Sequence, residues 1–500
     1  MRYLNFRSST AILLLVTASL YLSGCKKDFL DVNSDPNRVT GQNITPELIF
    51  PQAANAAGAM QASPDYTFVQ HWMGYFSNPG DYLLEKTEVT YNINSSFSNP
   101  LWVDMYNVLF DLNQVKVKAF AKGDSVLTGA SMILSARLFQ DLVDTYGDVP
   151  YSQAFNNDKY IQPKYDKASD IYLSLQKSLD TAISFMGTKA LGTFETVDIV
   201  NKGDQTKWIK FANTLKLRLL IRQSEIPGFS PASETAKIIA NGGVLHQGET
   251  ISVNPGYSNE ANKQSPFYGN YGLSPTGTDA SATVRANAYI VNILKSANDP
   301  RLNSFFLLPT GGGSTPVGAV YGASSNPIGT ATSKPGPGLA GSATQDQWIF
   351  TSFESMFLEA EAIARGWLPG SAQAAYQSAV TESFVWLGVP DADTAAISYM
   401  ADNSVANWEN ARSSIESQVR FIAYQKYIAL CGTDALEAWC DQRRLGVPPD
   451  NGLISADPGK VSNKLPIRLL YPESEYTTNS ANVKTQGTIN QFTSKIFWQP

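Results

Sequence analysis

The sequence predicts a mostly α-helical protein in which helical hairpins pack against an irregular, loop-rich face with a few short strands. Three observations carry that prediction. Apolar residues recur at helical spacing through most of 101–223 and 352–446. Segment 241–347 is instead dominated by Gly, Pro, Ser and Asn. Near the C-terminal end, Phe421, Tyr424, Ile428 and Cys431 share one helix face, while Val419, Ile422 and Leu430 fall on others. A helix apolar nearly all round is an interior helix.

The chain has 500 residues, a formal charge of −6 and 11% aromatic residues. No basic block occurs, so nucleic acid is not an expected partner. Arg2 and Arg7 precede an apolar run, Ala11 to Leu22, too short for an ordinary membrane span. Leu22-Ser23-Gly24-Cys25 has the form of a lipobox. Residues 1–24 are therefore expected to be a lipoprotein signal peptide, Cys25 the lipidated residue and 25–44 a tether. Several acyl chains hold a protein to a bilayer where one does not. With Cys25 lipidated, Cys431 and Cys440 remain, either as buried thiols or as a pair. His71 and His246 belong to no Cys/His cluster, and no metal or cofactor site is predicted.

Thr45-Pro46-Glu47 is a helix start, with a capping residue, proline at the first helical position and an early acid. Helical patterns run to about Met60 and from Asp65 to Phe76. Between Tyr66 and Phe110 lie eleven aromatics, about twice the chain's average density, and 78–100 reads as a loop. Trp72, Tyr106 and Phe110 fall in helical patterns and are assigned to the core. Helices are predicted over 131–146, 167–186 and 207–223, the last carrying Trp208, Phe211, Leu215 and Leu219 on one side. Within 241–347 one helix is expected over 287–296. Loops of that length in a compact protein are functional or disordered. From 348 onward, Phe353, Phe357, Ala360 and Ala364 face Ala372, Ala375, Tyr376, Ala379 and Ser383 across the turn at 366–370. This hairpin is similar to a tetratricopeptide (TPR) unit. The second run of the interior pair carries Leu436, Trp439 and Cys440 inward. Arg443, Arg444 and Gly446 then read as stop signals.

No G-x-S-x-G, HExxH or phosphate-binding loop is present, and no carboxylate pair is singled out for glycoside hydrolysis. Glu354, Glu359 and Glu361 are read as solvated or as interhelical ion-pair partners. Asp/Asn-rich loops leave a structural calcium open, but no twelve-residue calcium loop occurs. Binding is the better reading, because sugars need aromatic platforms with amide and acidic groups at their rims. One loop set offers Tyr75, Tyr82, Tyr91 and Trp102 with Asn78, Asp81, Asn92 and Asn94. Another offers Tyr257, Phe267, Tyr268, Tyr271 and Tyr321 with Asn254, Asn259, Asn262 and Asn270. A platform burying about 50 Å² contributes roughly 1 kcal/mol at about 25 cal/mol/Å². Three or four such platforms give dissociation constants around the millimolar range.

The lipobox, the Tyr146–Tyr151 turn YGDVPY, the QKYIALCG and EAWCDQRRLG runs, and the ending PIRLLYP resemble the SusD/RagB family of surface nutrient-binding lipoproteins. The resemblance covers nearly the whole chain. It implies several TPR-like helix pairs within one SusD-like domain, 45–500, with ligand loops about 78–100 and 241–347. It also implies cell-surface exposure on the outer membrane, with Lys26-Lys27-Asp28 similar to a surface-export tag. The implied role is capture of an oligosaccharide or polysaccharide for a SusC-like TonB-dependent transporter, without covalent chemistry. A peptide or other nutrient, or a surface glycosidase, is the alternative.

Overall fold

The structure, a computed structural model, describes residues 44–187 and 190–500. The signal peptide, Cys25 and the tether predicted from residues 1–43 lie outside the described residues.

Helix α1 (Pro46–Gln61) begins with the predicted proline and acid. A short helix α2 (Thr67–Trp72) follows, and Phe76 is not its end but the start of strand β1 (Phe76–Ser77). Three long helices come next: α3 (Asn99–Ala121), α4 (Ser125–Tyr146) and α5 (Ala168–Met186). They are joined by short turns and by strands β2 (Val149–Pro150) and β3 (Tyr165–Asp166), which pair with each other. Helix α4 starts six residues before its expected 131 because Asp124 accepts a hydrogen bond from Leu127 N at 3.0 Å. Among the described residues it is the helix long and apolar enough to cross a bilayer by composition, yet it lies buried in the fold. Asp204 caps α6 (Gln205–Arg222) in the same way, through Lys207 N. Successive helices α3, α4, α5 and α6 pack side against side, with α1 against α3.

The loop-rich segment contributes β4 (Ile251–Val253), β5 (Arg285–Ala286) and helix α7 (Ala288–Ser296). Strand β4 pairs antiparallel with β6 (Gln347–Phe350), across a bulge at Ile251/Ser252. Helices α8 (Ser352–Ala364) and α9 (Ala372–Trp386) form the expected hairpin, with Phe353, Phe357 and Ala360 against Tyr376, Ala379 and Ser383 in the interior. Helix α10 (Ala392–Asp402) follows, then α11 (Ile415–Ala429) and α12 (Ala435–Leu445). Helix α12 ends on Gly446 in the left-handed region (φ 65°), its N–H returning to Gln442 O.

One sequence expectation is corrected here. Phe110 is 38% exposed, because it lies on the outer side of α3 rather than the side facing α4. Arg443 and Arg444 stand in the last turn of α12, as expected. Both are buried: Arg443 stacks on Trp439 at 3.8 Å, and Arg444 binds Glu361 through both carboxylate oxygens at 2.6 and 2.8 Å.

Those arginines belong to an ion network that fills the middle of the helical layer. Glu437 accepts from Arg218 (2.8 Å), Arg222 (2.5 Å) and Lys426 (2.8 Å). Arg137 joins Asp141 and Asp434, Arg222 joins Asp144 (3.0 Å), and Lys426 and Arg444 share Asp441 (each 2.7 Å). Glu354 lies 3.2 Å from Arg218. Burial, then the neighbouring Asp434 charge, push its carboxyl up to about 8, so it holds a proton at neutral pH. Burial also pushes Glu361 up, but Arg444, Arg365 and Lys426 outweigh it and hold this carboxyl down to about 2. Cys431 and Cys440 are free and buried. Burial lifts the first thiol well above its usual range and the second to about 12, so neither is a reactive thiolate.

A carboxyl depressed in the folded state stabilises above its unfolded value, and the gain is lost as pH falls toward the folded value. For Glu361 that window runs from about 4.5 down to about 2. Glu361→Gln is expected to cost about 3–5 kcal/mol at neutral pH, because Arg444 loses its bidentate partner. It should also remove about 1.4 kcal/mol per pH unit of acid sensitivity inside that window. Urea unfolding of both proteins between pH 2.5 and 7 measures this; parallel acid limbs would disprove the assignment.

Candidate ligand-binding face

Both loop sets flagged in the sequence meet on one face. Strand β1 pairs with β5, Phe76 opposite Ala286 and Ser77 opposite Arg285. Just beyond, Asn78 Nδ2 donates to Thr283 O (3.2 Å), Gly80 N to Pro327 O (2.9 Å) and Gly329 N to Asp81 Oδ1 (2.9 Å). Gly80 must be glycine at this crossing, since a Cβ would lie 2.0 Å from Asn326 O. The crossing lifts Tyr82 (42% exposed) and Leu83 (98%) onto the rim with Ile328 (53%).

Next to this rim lies an open groove of about 720 Å³ along the short helix Pro266–Tyr271. Tyr257, Asn262, Gln264, Asn270 and Asp279 line it, with Asn55 reaching in from α1. Tyr257 is held at both ends. Asn254 Oδ1 accepts from its backbone N–H (3.0 Å), and its hydroxyl donates to Asn55 Oδ1 (2.6 Å). Asn270 donates to Ala62 O (2.9 Å), and Gln264 donates to Asn259 Oδ1 (2.8 Å) and Leu273 O (3.0 Å). With their N–H groups turned into the protein, these two amides present carbonyl oxygens as acceptors. Asp279 is the carboxylate among the lining residues, and Lys334 (2.6 Å) and Arg285 (3.3 Å) neutralise it. Arg285 also donates to Gly329 O (3.2 Å), which joins the groove wall to the rim. The arrangement suits a ligand rich in hydroxyl or amide N–H donors. Glycoside hydrolysis would need a second carboxylate across the bond.

Of the candidate residues, Tyr82, Asn92, Tyr257 and Tyr268 keep solvent-accessible surface. Tyr75, Trp102, Tyr271 and Tyr321 do not, and the expectation that they are exposed platforms is corrected. Tyr75 stacks on Tyr427 at 4.9 Å and its hydroxyl donates to Tyr427 O, while the Tyr427 hydroxyl donates to Met73 O. Trp102 meets Tyr146 edge-on at 4.9 Å. Tyr271 packs on Phe267, its hydroxyl reaches Thr67 Oγ1 (3.3 Å), and burial pushes it up to about 12. Tyr321 donates to Glu88 (3.1 Å), which also holds His71 at 2.7 Å. Tyr91 and Phe267 are buried as well. For Tyr75, Tyr91, Tyr271 and Tyr321 an internal partner also engages the hydroxyl that a ligand would need. The sequence reading missed Asn55, whose one trace is a polar residue inside the alanine run of α1, and Gln264 and Asp279, which look like ordinary loop residues.

Tyr75→Phe would leave Tyr427 O unsatisfied in the interior. It is expected to lower unfolding free energy by about 1–3 kcal/mol while leaving ligand affinity unchanged. Chemical denaturation and a binding titration on the same variant check this; lost affinity at full stability would return Tyr75 to the binding face.

A family model described as starch-binding and associating with the outer membrane, SusD-like, matches residues 36–472. No curated protein sequence matches. Solved structures do. A chitin-binding SusD homologue from Flavobacterium johnsoniae superposes with a TM-score of 0.75 at 23% identity, covering 90% of this chain and 98% of its own. A SusD/RagB family protein from Bacteroides thetaiotaomicron gives 0.74 at 22%, covering 91% and 99%. A SusD homologue from Bacteroides fragilis gives 0.70 at 20%, covering 91% and 98%.

Proposed function

The chain belongs to the SusD-like family, whose description is starch-binding and outer-membrane association, and we propose that it is a cell-surface lipoprotein that captures a glycan for a SusC-like TonB-dependent transporter. In this reading residues 1–24 are the signal peptide, Cys25 carries the lipid, 25–44 tether the protein, and 45–500 form the binding domain. It binds and releases its ligand without covalent chemistry.

The observation that carries the reading is the groove. Its tyrosine is pinned at both ends, its amides present acceptor oxygens, and its one lining carboxylate is neutralised. Tyr257 supplies the platform, Asn262, Gln264 and Asn270 the rim contacts, and Tyr82, Asn92 and Tyr268 extend the face. The acceptor oxygens suit acetamido N–H groups as well as hydroxyls. That property, with the chitin-binding description of the Flavobacterium johnsoniae homologue, makes chitooligosaccharides the first ligands to try.

Titrating intrinsic fluorescence with chito- and maltooligosaccharides and with mixed peptides tests the reading. Saturable binding of one glycan class in the millimolar range is expected. Tyr257→Ala should weaken it about fivefold, since one platform is worth roughly 1 kcal/mol. A response to peptides alone would move the chain to a different nutrient, and full affinity in the Tyr257→Ala variant would place the site elsewhere.

For the partner, an apolar stripe on α3 gives support. Val103, Phe110 and Val117 are seven residues apart, and Phe120 is 65% exposed beside them. Such a stripe fits a protein contact better than water. Membrane fractionation with affinity capture tests both attachments. Cys25→Ala should leave the membrane fraction, and the Phe110→Ser/Val117→Ser pair should stay anchored but lose the barrel. Retention of the barrel by that pair would rule out this stripe as the contact.

A further inference from the structure

A second, smaller pocket lies away from the groove, between α3, α4, α5 and the loop that follows β2. It encloses about 250 Å³. Part of its wall is apolar: Leu109 from α3, Met132 and Phe139 from α4, Leu175 from α5, and Tyr151 and Phe155 from the loop. The rings are set by one another, with Tyr151 edge-on to Phe139 at 4.8 Å and Phe155 within 6.2 Å of Phe139, Tyr106 and Phe110.

Phe155 holds this position with φ at 65°. A bulky side chain in the left-handed region is uncommon and persists only where its surroundings impose it. Here the strained residue closes the pocket.

Beside these side chains the pocket is lined by Lys116 and Asn113 from α3 and by Ser178 from α5. Among the described residues no ion pair or side-chain hydrogen bond engages any of them. Other interior cations have partners, a carboxylate in most cases and backbone carbonyls for Arg443 and Arg468. Arg137, Arg218, Arg222, Lys426 and Arg444 each meet a carboxylate. Lys116 has been taken partly out of water and meets none, and burial accordingly lowers its ammonium from the usual lysine range. An ammonium that has lost water without gaining a counterion is stabilised by any anion that can reach it.

We propose that this pocket binds a small organic carboxylate with an apolar body, its carboxylate on Lys116, Asn113 and Ser178 and its body against Phe139, Tyr151 and Phe155. A pocket of this volume lies below the range for drug-sized ligands, which restricts the occupant to a compact molecule. An inorganic anion would satisfy the lysine but leave the aromatic wall unused. The pocket shares no lining residue with the groove, so this site stands whether or not the glycan reading holds.

Benzoate and its neutral isostere benzamide separate the terms. In ligand-observed NMR titrations of the purified full chain, benzoate should saturate and bind at least tenfold more tightly than benzamide. Lys116→Gln should bring the two affinities together, and Ser178→Ala should weaken benzoate with less effect on benzamide. Equal affinities in the unmutated protein, no saturation at tens of millimolar, or displacement of benzoate by an oligosaccharide that binds the groove would each overturn the proposal. The benzoate–benzamide comparison needs no substitution, so it decides the matter even if a variant fails to fold.

Discussion

The structure depends on a buried ion network more than on any single apolar contact. Arg137, Asp141 and Asp144 come from α4, Arg218 and Arg222 from α6, Glu354 and Glu361 from α8, Lys426 from α11, and Asp434 to Arg444 from α12 and its cap. Trp498, near the chain's end, and Tyr172 of α5 both donate to Asp144. Charges removed from water are costly unless each is met by an opposite charge and satisfied hydrogen bonds. Here that condition ties helices from both halves of the sequence into one geometry. Sliding one helix past another would strand a charge, so the network selects one packing among many that would bury similar apolar area.

The network bears on the binding face through α11. Tyr427, one residue from Lys426, accepts a hydrogen bond from Tyr75 and donates one to Met73 O. From there the chain enters β1, pairs with β5 and crosses under the loop at 326–329. The rim and the groove wall are therefore connected to the helical core by short, fully bonded steps rather than by free loops. A face held in this way loses little further conformational freedom on binding, so little of a ligand's contact energy is spent on ordering the protein.

The apolar surfaces divide in a similar way. On α3, the side facing α4 is core, and the opposite side exposes the stripe at Val103, Phe110 and Val117. Lys116 and Asn113 lie at the boundary between these sides, over the pocket that Phe155 closes. One helix thus contributes to the core, to a pocket and to an open surface, because its apolar residues are spread over more than a single stripe.

Much was legible in the sequence because it depends on local rules. The helical hairpins, the loop-rich half, the αL stop at Gly446 and the family resemblance follow from periodicity, capping residues and motifs. The helix starts after Asp124 and Asp204 lie earlier than the sequence suggests, because each is set by an aspartate cap rather than by the apolar period. The aromatic residues were another matter. Tyr75, Tyr271 and Tyr321 sit in loop-like sequence as Tyr82 and Tyr257 do, and composition treats them alike. What separates them is whether a distant group, such as Tyr427 O, Thr67 or Glu88, meets the hydroxyl. The same holds for Arg444, a last-turn cation whose bidentate partner Glu361 comes from another helix. The sequence by itself determined the elements and their kind, because helix and turn formation rest on neighbours a few residues apart. Tertiary structure alone decided which polar and aromatic side chains are occupied internally and which are left for a ligand, because their partners lie hundreds of residues away along the chain.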